Sequence, residues 1–385
     1  MRILHLSHEG LPDWRIEKSA ITATNKGHEV FFAGGDQEKY NRNSFLKNYN
    51  ILWTAKARLG IPYYWYIVKK QFERILREIR PDIVHAHNIF SAKMISEFKL
   101  PFVYDDHEYW SKSSRFLSEL TAKLSWQRRL DRKNVKVFAV DAPLKIRRNV
   151  INYFAIRLWS KWEQEVVSSS PTITVSDKIA KELRTIAGAS DRVFVVPNFP
   201  MTSEVQGVQK PIFHDNLSSV YAGSEGLNTD KYPFRNIELL PDFFEERNIG
   251  GLTIIGWEGK SSANVTYKGY MPREAMFEEM AKHSLGLLPW TKHWSHSFLN
   301  PNKAYEYAHA GLFVICTSTI TPVIETLKEN CATFEDYADL GSKIEYYQEN
   351  LTLLHNKRLK LFKFARDNLI WERFEKNIFH AYQSC

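Results

Sequence analysis

The stretch "SFLNPNKAYEYAHAGLFVICTS" (297–318) reads as a loop, a helix, a glycine stop and a buried strand. Asn300 suits the N-cap, Pro301 the first helical position and Gly311 the position just past the last turn. The strand "LFVICTS" is almost continuously apolar, as a strand covered on both faces must be. A helix feeding such a strand is half of an α/β unit. Lys303 falls in the first helical turn, where bare N–H groups and the helix dipole already present positive charge. A cation is unfavourable there unless a negative group answers it.

Working outward, the same alternation recurs along the chain. The N-terminal half has "RILHLS", a helix from about Arg15 to Lys26 closed by Gly27, and "HEVFFAGG". "PDIVHAHN", "PFVYDD", "PTITVS" and "RVFVVPN" follow, with room for crossover helices. The C-terminal half repeats the pattern with "SVYAGS", "LTIIG", "SLGLLPW" and "LFVICTS". Apolar strands alternating with helices predict parallel sheets. The expectation is therefore α/β: two Rossmann-like domains facing each other across a cleft, spanning 1–200 and 211–365 and joined near "PNFPMTSEVQGVQKP" (197–211). Ligands in such sheets sit beyond the carboxyl ends of the strands. The loops after Ser7, His87, Asp106, Gly223, Gly256 and Trp290 are where chemistry is sought.

Bulk properties narrow the class. At 385 residues the chain is too long for one ordinary core. It is 44% hydrophobic and 14% aromatic, a folded composition. Cys316, Cys331 and Cys385 are odd in number and have no metal-ligand spacing, which predicts a reducing, cytoplasmic setting. The longest apolar run, "IPYYWYIV" (61–68), falls far short of the ~20 residues needed to span a bilayer. No signal-peptide pattern is visible. The net charge of +8 points to anionic partners: nucleic acid, a phosphorylated substrate or lipid headgroups. A G-x-G-x-x-G after the first strand, a Walker loop and a G-x-S-x-G elbow are all missing, which argues against a dehydrogenase, a P-loop NTPase and an α/β-hydrolase. No nucleic-acid module is recognisable.

On the helix, Asn302, Lys303 and Glu306 share one flank of the first turns. Helix N–H groups with an ammonium make a diphosphate cradle, and a carboxylate one turn further in can accept both hydroxyls of a ribose. The alternative is a solvated Lys–Glu pair worth about 0.3–0.5 kcal/mol.

"PNKAYEYAHAGLFVICTS" (301–318) resembles the donor-binding segment of retaining, GT-B-fold glycosyltransferases of the group 1 (GT4) family. The resemblance extends over most of the chain. It takes in "DWRIEKSAITATNKGHEVFFAGG" (13–35), "PDIVHAHN" (81–88), "VYDDHEYW" (103–110) and "TITVSDKIAKEL" (172–183). "VFVVPNFP" (193–200) and "VYAGSEG…FRNIELL" (220–240) continue it. The family implies transfer of a sugar from a nucleotide sugar with its anomeric configuration retained. By resemblance Lys303 and Arg235 are the phosphate partners, Gly223 and Ser224 let the backbone approach the phosphates, Glu306 takes the ribose and Asn302 supports the cradle. His107 resembles the family histidine that reaches the reacting sugar, while Asp13 and Arg15 sit where acceptor or phosphate contacts are usual. They could equally form an ion pair at the helix start. The family usually carries a first glutamate eight positions before the second; here Phe298 stands there, which makes His293 and His296 the candidate sugar contacts.

A GT-B enzyme normally needs no metal, so no metal or cofactor is expected. Asp105–Asp106 and "HAHN" mimic metal spacing, but alternate strand residues sharing a face explain the latter. The C-terminal "LIWERFEKNIFHAYQ" (369–383) resembles the GT-B tail, with 366–385 crossing back to the N-terminal domain. Residues 112–161 are basic, with Arg128, Arg129, Arg147 and Arg148, and interleave Trp126, Phe138, Tyr153, Phe154 and Trp159. This is either an anionic-membrane surface for a lipid-linked acceptor or a solvated helical face. The expected partners are a nucleotide sugar and a glycan or lipid-linked acceptor, with no nucleic acid. A peripheral place on the inner face of the membrane goes with the first reading of 112–161. The rival readings are a GT-B-like nucleotide-sugar epimerase and a non-catalytic nucleotide-sugar-binding protein.

Overall fold

The computed structural model of the chain describes residues 1–35, 44–107, 109–112, 135–188, 190–223, 234–247 and 249–385, with backbone alone for 135–149, 152 and 190. The chain divides into two compact units, one of Met1–Val196 with Phe374–Cys385 and one of Pro197–Arg373.

The first unit is built on a seven-stranded sheet in the order β3-β2-β1-β4-β5-β6-β7. Its strands are β1 (Arg2–Ser7), β2 (Glu29–Gly34), β3 (Lys47–Asn50), β4 (Ile83–His87), β5 (Phe102–Asp106), β6 (Thr172–Thr174) and β7 (Val193–Val195). Every pairing is parallel, with Ile3 opposite Ile83 and Val30, and Val84 opposite Phe102. Parallel strands need crossover helices on both faces, and the central strands β1, β4 and β5 are accordingly buried along nearly their whole length. Helix Trp14–Asn25 starts under an Asp13 side chain that accepts from the Arg15 and Ile16 N–H groups. It ends at Gly27, whose φ of 77° is the left-handed conformation a residue without Cβ adopts most cheaply.

The second unit repeats the design with six parallel strands in the order β10-β9-β8-β11-β12-β13. They are β8 (Ser218–Ala222), β9 (Gly251–Ile255), β10 (Val265–Tyr267), β11 (Leu285–Leu288), β12 (Phe313–Thr317) and β13 (Cys331–Phe334). In both sheets the order reverses beside the first strand of the unit, between β1 and β4 and between β8 and β11. That is the switch point where α/β sheets open a crevice at their carboxyl ends.

Helix Asn302–His309 is fixed by packing. Tyr307 lies fully buried beneath β8 and β11, its hydroxyl accepting from Ala222 N–H at 2.8 Å, and a Cβ on Gly286 would overlap its ring. The cap differs from expectation: Pro301 precedes the helix with no side-chain cap, because Asn300 Oδ1 accepts instead from the Tyr305 hydroxyl. Gly311 ends the helix with φ of 78°. Arg358, buried on helix Leu351–Asn368, donates to the Gly311, Ile212 and His283 carbonyls at 2.8, 3.0 and 3.1 Å and locks that turn in place.

Helix Leu351–Asn368 therefore belongs to the second unit, and the chain rejoins the first unit at Phe374 rather than at 366. Helix Glu375–Gln383 then lies on the first sheet. Asn377 donates to the Val195 carbonyl at 2.8 Å, and the Tyr382 hydroxyl meets His85 Nδ1 at 2.8 Å. No helix among the described residues is long and apolar enough to cross a membrane.

Candidate functional site

Three elements of the second unit converge beyond their carboxyl ends: the end of β8, the loop after β11 and the start of helix Asn302–His309. Lys303 is buried in the first turn, its Nζ 5.4 Å from the Tyr221 ring centre and 5.3 Å from that of Trp290. Arg235 lies over the same Trp290 ring at 5.7 Å. Two cations thus flank one indole beside a helix N-terminus, a positive environment that favours a polyanion. The Trp290 indole N–H is buried without a hydrogen-bond acceptor among the described residues, a further donor at this place. Asn302 is half-buried at the first helical position. Gly223 follows β8, but its N–H is taken by the Ile255 carbonyl at 3.0 Å, so only its small size serves a ligand. Ser224 lies outside the described residues.

Glu306 is buried one turn below Lys303 and pairs with a residue the sequence did not flag. Arg273 Nη1 donates to Glu306 at 2.7 Å while its Nε donates to Glu204, whose other oxygen caps Met201 N–H at 2.7 Å. The Glu306 carboxylate is therefore held in one orientation by a fixed guanidinium. The i,i+3 spacing of Lys303 and Glu306 gave no hint of Arg273, which comes from thirty residues upstream in another helix.

The two loop histidines are structural in their contacts. His296 is fully buried, with Nε2 on the Phe234 carbonyl and Nδ1 on Thr319 Oγ1, each at 2.9 Å. Burial lowers its pKa to about 4, so the ring is neutral and both nitrogens are used. His293 stacks on Phe234 at 3.6 Å and bonds Ser295 through Nδ1. Both fasten the Trp294–Phe298 turn that carries the chain to Lys303.

In the first unit, the carboxyl ends of β1, β4 and β5 gather His5, His85, His87, Asp105 and His107. Asp13 is occupied as a helix cap. Arg15 is buried against Asp105, with Nε at 3.0 Å and Nη2 at 2.7 Å, while its Nη1 donates to the Val196 carbonyl. The alternative Asp13–Arg15 ion pair at the helix start does not form: Asp13 accepts from backbone N–H groups, and Arg15 pairs with Asp105 instead. Burial opposes ionisation of Asp105, yet the Arg15 guanidinium beside it holds its carboxyl well below the usual range. His85 Nε2 meets Asp105 at 3.2 Å and His107 Nε2 lies 3.3 Å from it.

His85 and His87 share one face of β4, their rings 4.4 Å apart, with His5 beside them in register on β1. Two groups, His5–His85–His87 and His87–Asp105–His107, bring ligand-type atoms within 4.8 Å of one another. Their nitrogens, however, are aimed at each other. The His5–His87 rings are 5.2 Å apart with nitrogens at 2.9 Å, and the His87–His107 rings 5.1 Å apart with nitrogens at 3.0 Å. Rings so far apart have nitrogens so close only when both nitrogens lie on the line between the ring centres. That is hydrogen-bond geometry, not convergence on a common ion.

Two Rossmann-like units with parallel sheets in one chain are the GT-B architecture. Residues 20–200 match the family model described as Glycosyltransferase Family 4. Solved structures extend the likeness of fold to the whole chain. Anabaena HepE in complex with UDP-glucose has a TM-score of 0.69 at 12% identity, covering 100% of both chains. Sucrose-phosphate synthase from Thermosynechococcus elongatus has 0.67 at 11%, covering 100% of this chain and 98% of that one. A glycosyltransferase from Rickettsia africae has 0.64 at 12%, covering 99% and 97%. No curated protein matches the sequence.

Proposed function

We propose that the protein transfers a hexosyl group from a nucleoside-diphosphate sugar to a glycan or lipid-linked acceptor, with retention of anomeric configuration. The observation that carries this is the pair of cations, Lys303 and Arg235, set against Trp290 beside the start of a helix. Breaking the glycosidic bond puts negative charge on the leaving diphosphate, and fixed cations stabilise that change more than they stabilise the ground state. Glu306, oriented by Arg273, receives the ribose hydroxyls, and Asn302 flanks the phosphates. His107 of the first unit is assigned to the reacting sugar on its resemblance to the family histidine alone. Asp13 and Arg15 support the acceptor side through the helix start and Asp105 rather than by touching substrate.

In this reading the leaving phosphate oxygen helps to deprotonate the acceptor hydroxyl. A carboxylate nucleophile is then not required, and neither is a metal ion. The fold leaves one rival open: a putative UDP-N-acetylglucosamine 2-epimerase from Listeria monocytogenes has a TM-score of 0.57 at 10% identity. The Glycosyltransferase Family 4 match favours transfer. The test is incubation of nucleotide sugars with a panel of glycan and polyprenyl-linked acceptors, read by proton NMR of the product's anomeric centre. A product with the donor's configuration is expected. Epimerised sugar formed without an acceptor, or an inverted linkage, would overturn the reading.

A further inference from the structure

We propose that a buried chain of imidazoles fixes the tautomer of His107, so that its open nitrogen, Nδ1, is a hydrogen-bond donor and not a base. The chain runs His5 Nδ1 to His87 Nε2 at 2.9 Å, then His87 Nδ1 to His107 Nε2 at 3.0 Å. His5 and His87 are fully buried, and burial drives both pKa values well below the ordinary histidine value. Each is therefore neutral, with one N–H and one bare nitrogen. A string of neutral imidazoles has a single direction: every ring donates towards His107, or every ring donates away from it.

The two directions differ at the ends. At the inner end, His5 Nε2 is buried with no hydrogen-bond partner among the described residues. If the string donates away from His107, that nitrogen carries an N–H with no acceptor, and orphaned buried N–H groups are the rarest of unsatisfied polar groups. If the string donates towards His107, the same nitrogen is only a bare lone pair. The second direction is favoured. His5 Nδ1–H then donates to His87, and His87 Nδ1–H donates to His107 Nε2, leaving the proton of His107 on Nδ1. Asp105 does not decide between the directions: its Oδ2 lies 3.4 Å from His87 Nδ1 and 3.3 Å from His107 Nε2, ready to accept from either. His85 stands outside the string, since Asp105 and the Tyr382 hydroxyl occupy its nitrogens.

The His107 side chain is 11% exposed, and its Nδ1 has no partner among the described residues. It is the nitrogen a ligand meets. A ring with Nδ1–H there donates to a sugar hydroxyl or to an oxygen gaining charge, and it cannot take the acceptor's proton. His5 and His87 are thus positioning residues. The tautomer follows from the geometry and burial of the string, whereas its use in catalysis rests on the proposed transfer reaction.

The experiment is long-range proton–nitrogen NMR of histidine-labelled protein at pH 8, on wild type, His87→Leu and His87→Gln. Wild type should show His107 protonated at Nδ1. His87→Leu removes the donor, so His107 Nε2–H should turn to Asp105 and the signal should move to the Nε2–H pattern. His87→Gln supplies an amide N–H and should restore the wild-type pattern. In transfer assays, kcat should fall at least tenfold in His87→Leu with KM little changed, and recover most of that loss in His87→Gln. Wild-type His107 protonated at Nε2, or one tautomer across all three proteins, overturns the proposal. So does stoichiometric zinc with metal-shifted nitrogens at His87 and His107. The wild-type spectrum decides even if His87→Leu does not fold. A protein without transfer activity would sink the reaction while leaving the tautomer to stand or fall on the spectra.

Discussion

Lys303 was conspicuous in the sequence because a cation in a first helical turn is locally unfavourable, and in the structure it is also buried. Arg235 lies beside the same indole, and in the proposed reading the two cations receive a polyanion. Lys303→Ala and Glu306→Ala should each lower kcat/KM by roughly 30-fold or more, about 2 kcal/mol of transition-state stabilisation, with unchanged circular dichroism. Near-wild-type kinetics in both would remove this helix from the reaction. Arg273 makes a different prediction. Arg273→Met leaves two largely buried carboxylates, Glu204 and Glu306, without their cation, and should cost about 3 kcal/mol or more in urea unfolding. Donor affinity should fall as well. Adding Glu204→Gln should recover part of the stability, and failure to do so would mean the two acids are not coupled through Arg273. The residues legible in sequence were those on one helix, where spacing fixes who shares a flank. Arg273, Trp290 and the His5–His87 pair come from separate elements, so no local pattern could have joined them.

Elements were legible where strands are central. The strands missed by sequence, β3 ("KNYN"), β10 ("VTY") and β13 ("CATF"), all sit at sheet edges. An edge strand pairs on one side, is short and half-exposed, and so lacks the apolar run that marks its central neighbours. Helix Asn302–His309 tests how an element holds a site. Gly286→Ala drives a Cβ into the Tyr307 ring and should destabilise the protein by about 1–3 kcal/mol, with weakened donor binding as the helix shifts. Tyr307→Phe should keep the packing and lose the hydroxyl's bonds to the Ala222 N–H and the Leu287 carbonyl. Equal stability of wild type and Gly286→Ala would show that the helix is not pinned there.

At the scale of the whole molecule, buried histidines set the response to acid. Burial lowers His8 to about 3 and His283, His296 and His309 to about 4. Their folded-state values lie below the ordinary 6.5, so the unfolded chain binds protons first as pH falls. Stability should be full above about pH 7 and decline steadily from about pH 6.5 to 4, each group withdrawing up to about 3 kcal/mol. Urea midpoints at pH 7.5, 6 and 5 check this, and midpoints independent of pH would contradict it. The membrane expectation for residues 112–161 falls partly outside the described residues, Arg128 and Arg129 included. Within them, Tyr153 and Phe154 are 52% and 64% exposed, with Arg157 against Tyr153 and exposed Tyr63 on the neighbouring helix Pro62–Ile79. Such a surface should bind anionic but not neutral vesicles, in a manner partly reversed by salt and reduced by Arg157→Glu with Phe154→Ser. Equal partitioning to both vesicle types would leave it an ordinary solvated face.

The second unit is proposed to hold a nucleoside-diphosphate sugar on Lys303, Arg235 and Glu306. Thermal unfolding against a panel of nucleotide sugars tests it most directly, because a ligand bound only by the folded state raises Tm by mass action. The expected result is a concentration-dependent rise in Tm with at least one nucleoside-diphosphate sugar, a smaller rise with the matching nucleoside diphosphate, and loss of both in Lys303→Ala and Glu306→Ala. A flat response across the panel, or a rise that survives in both variants, would contradict it.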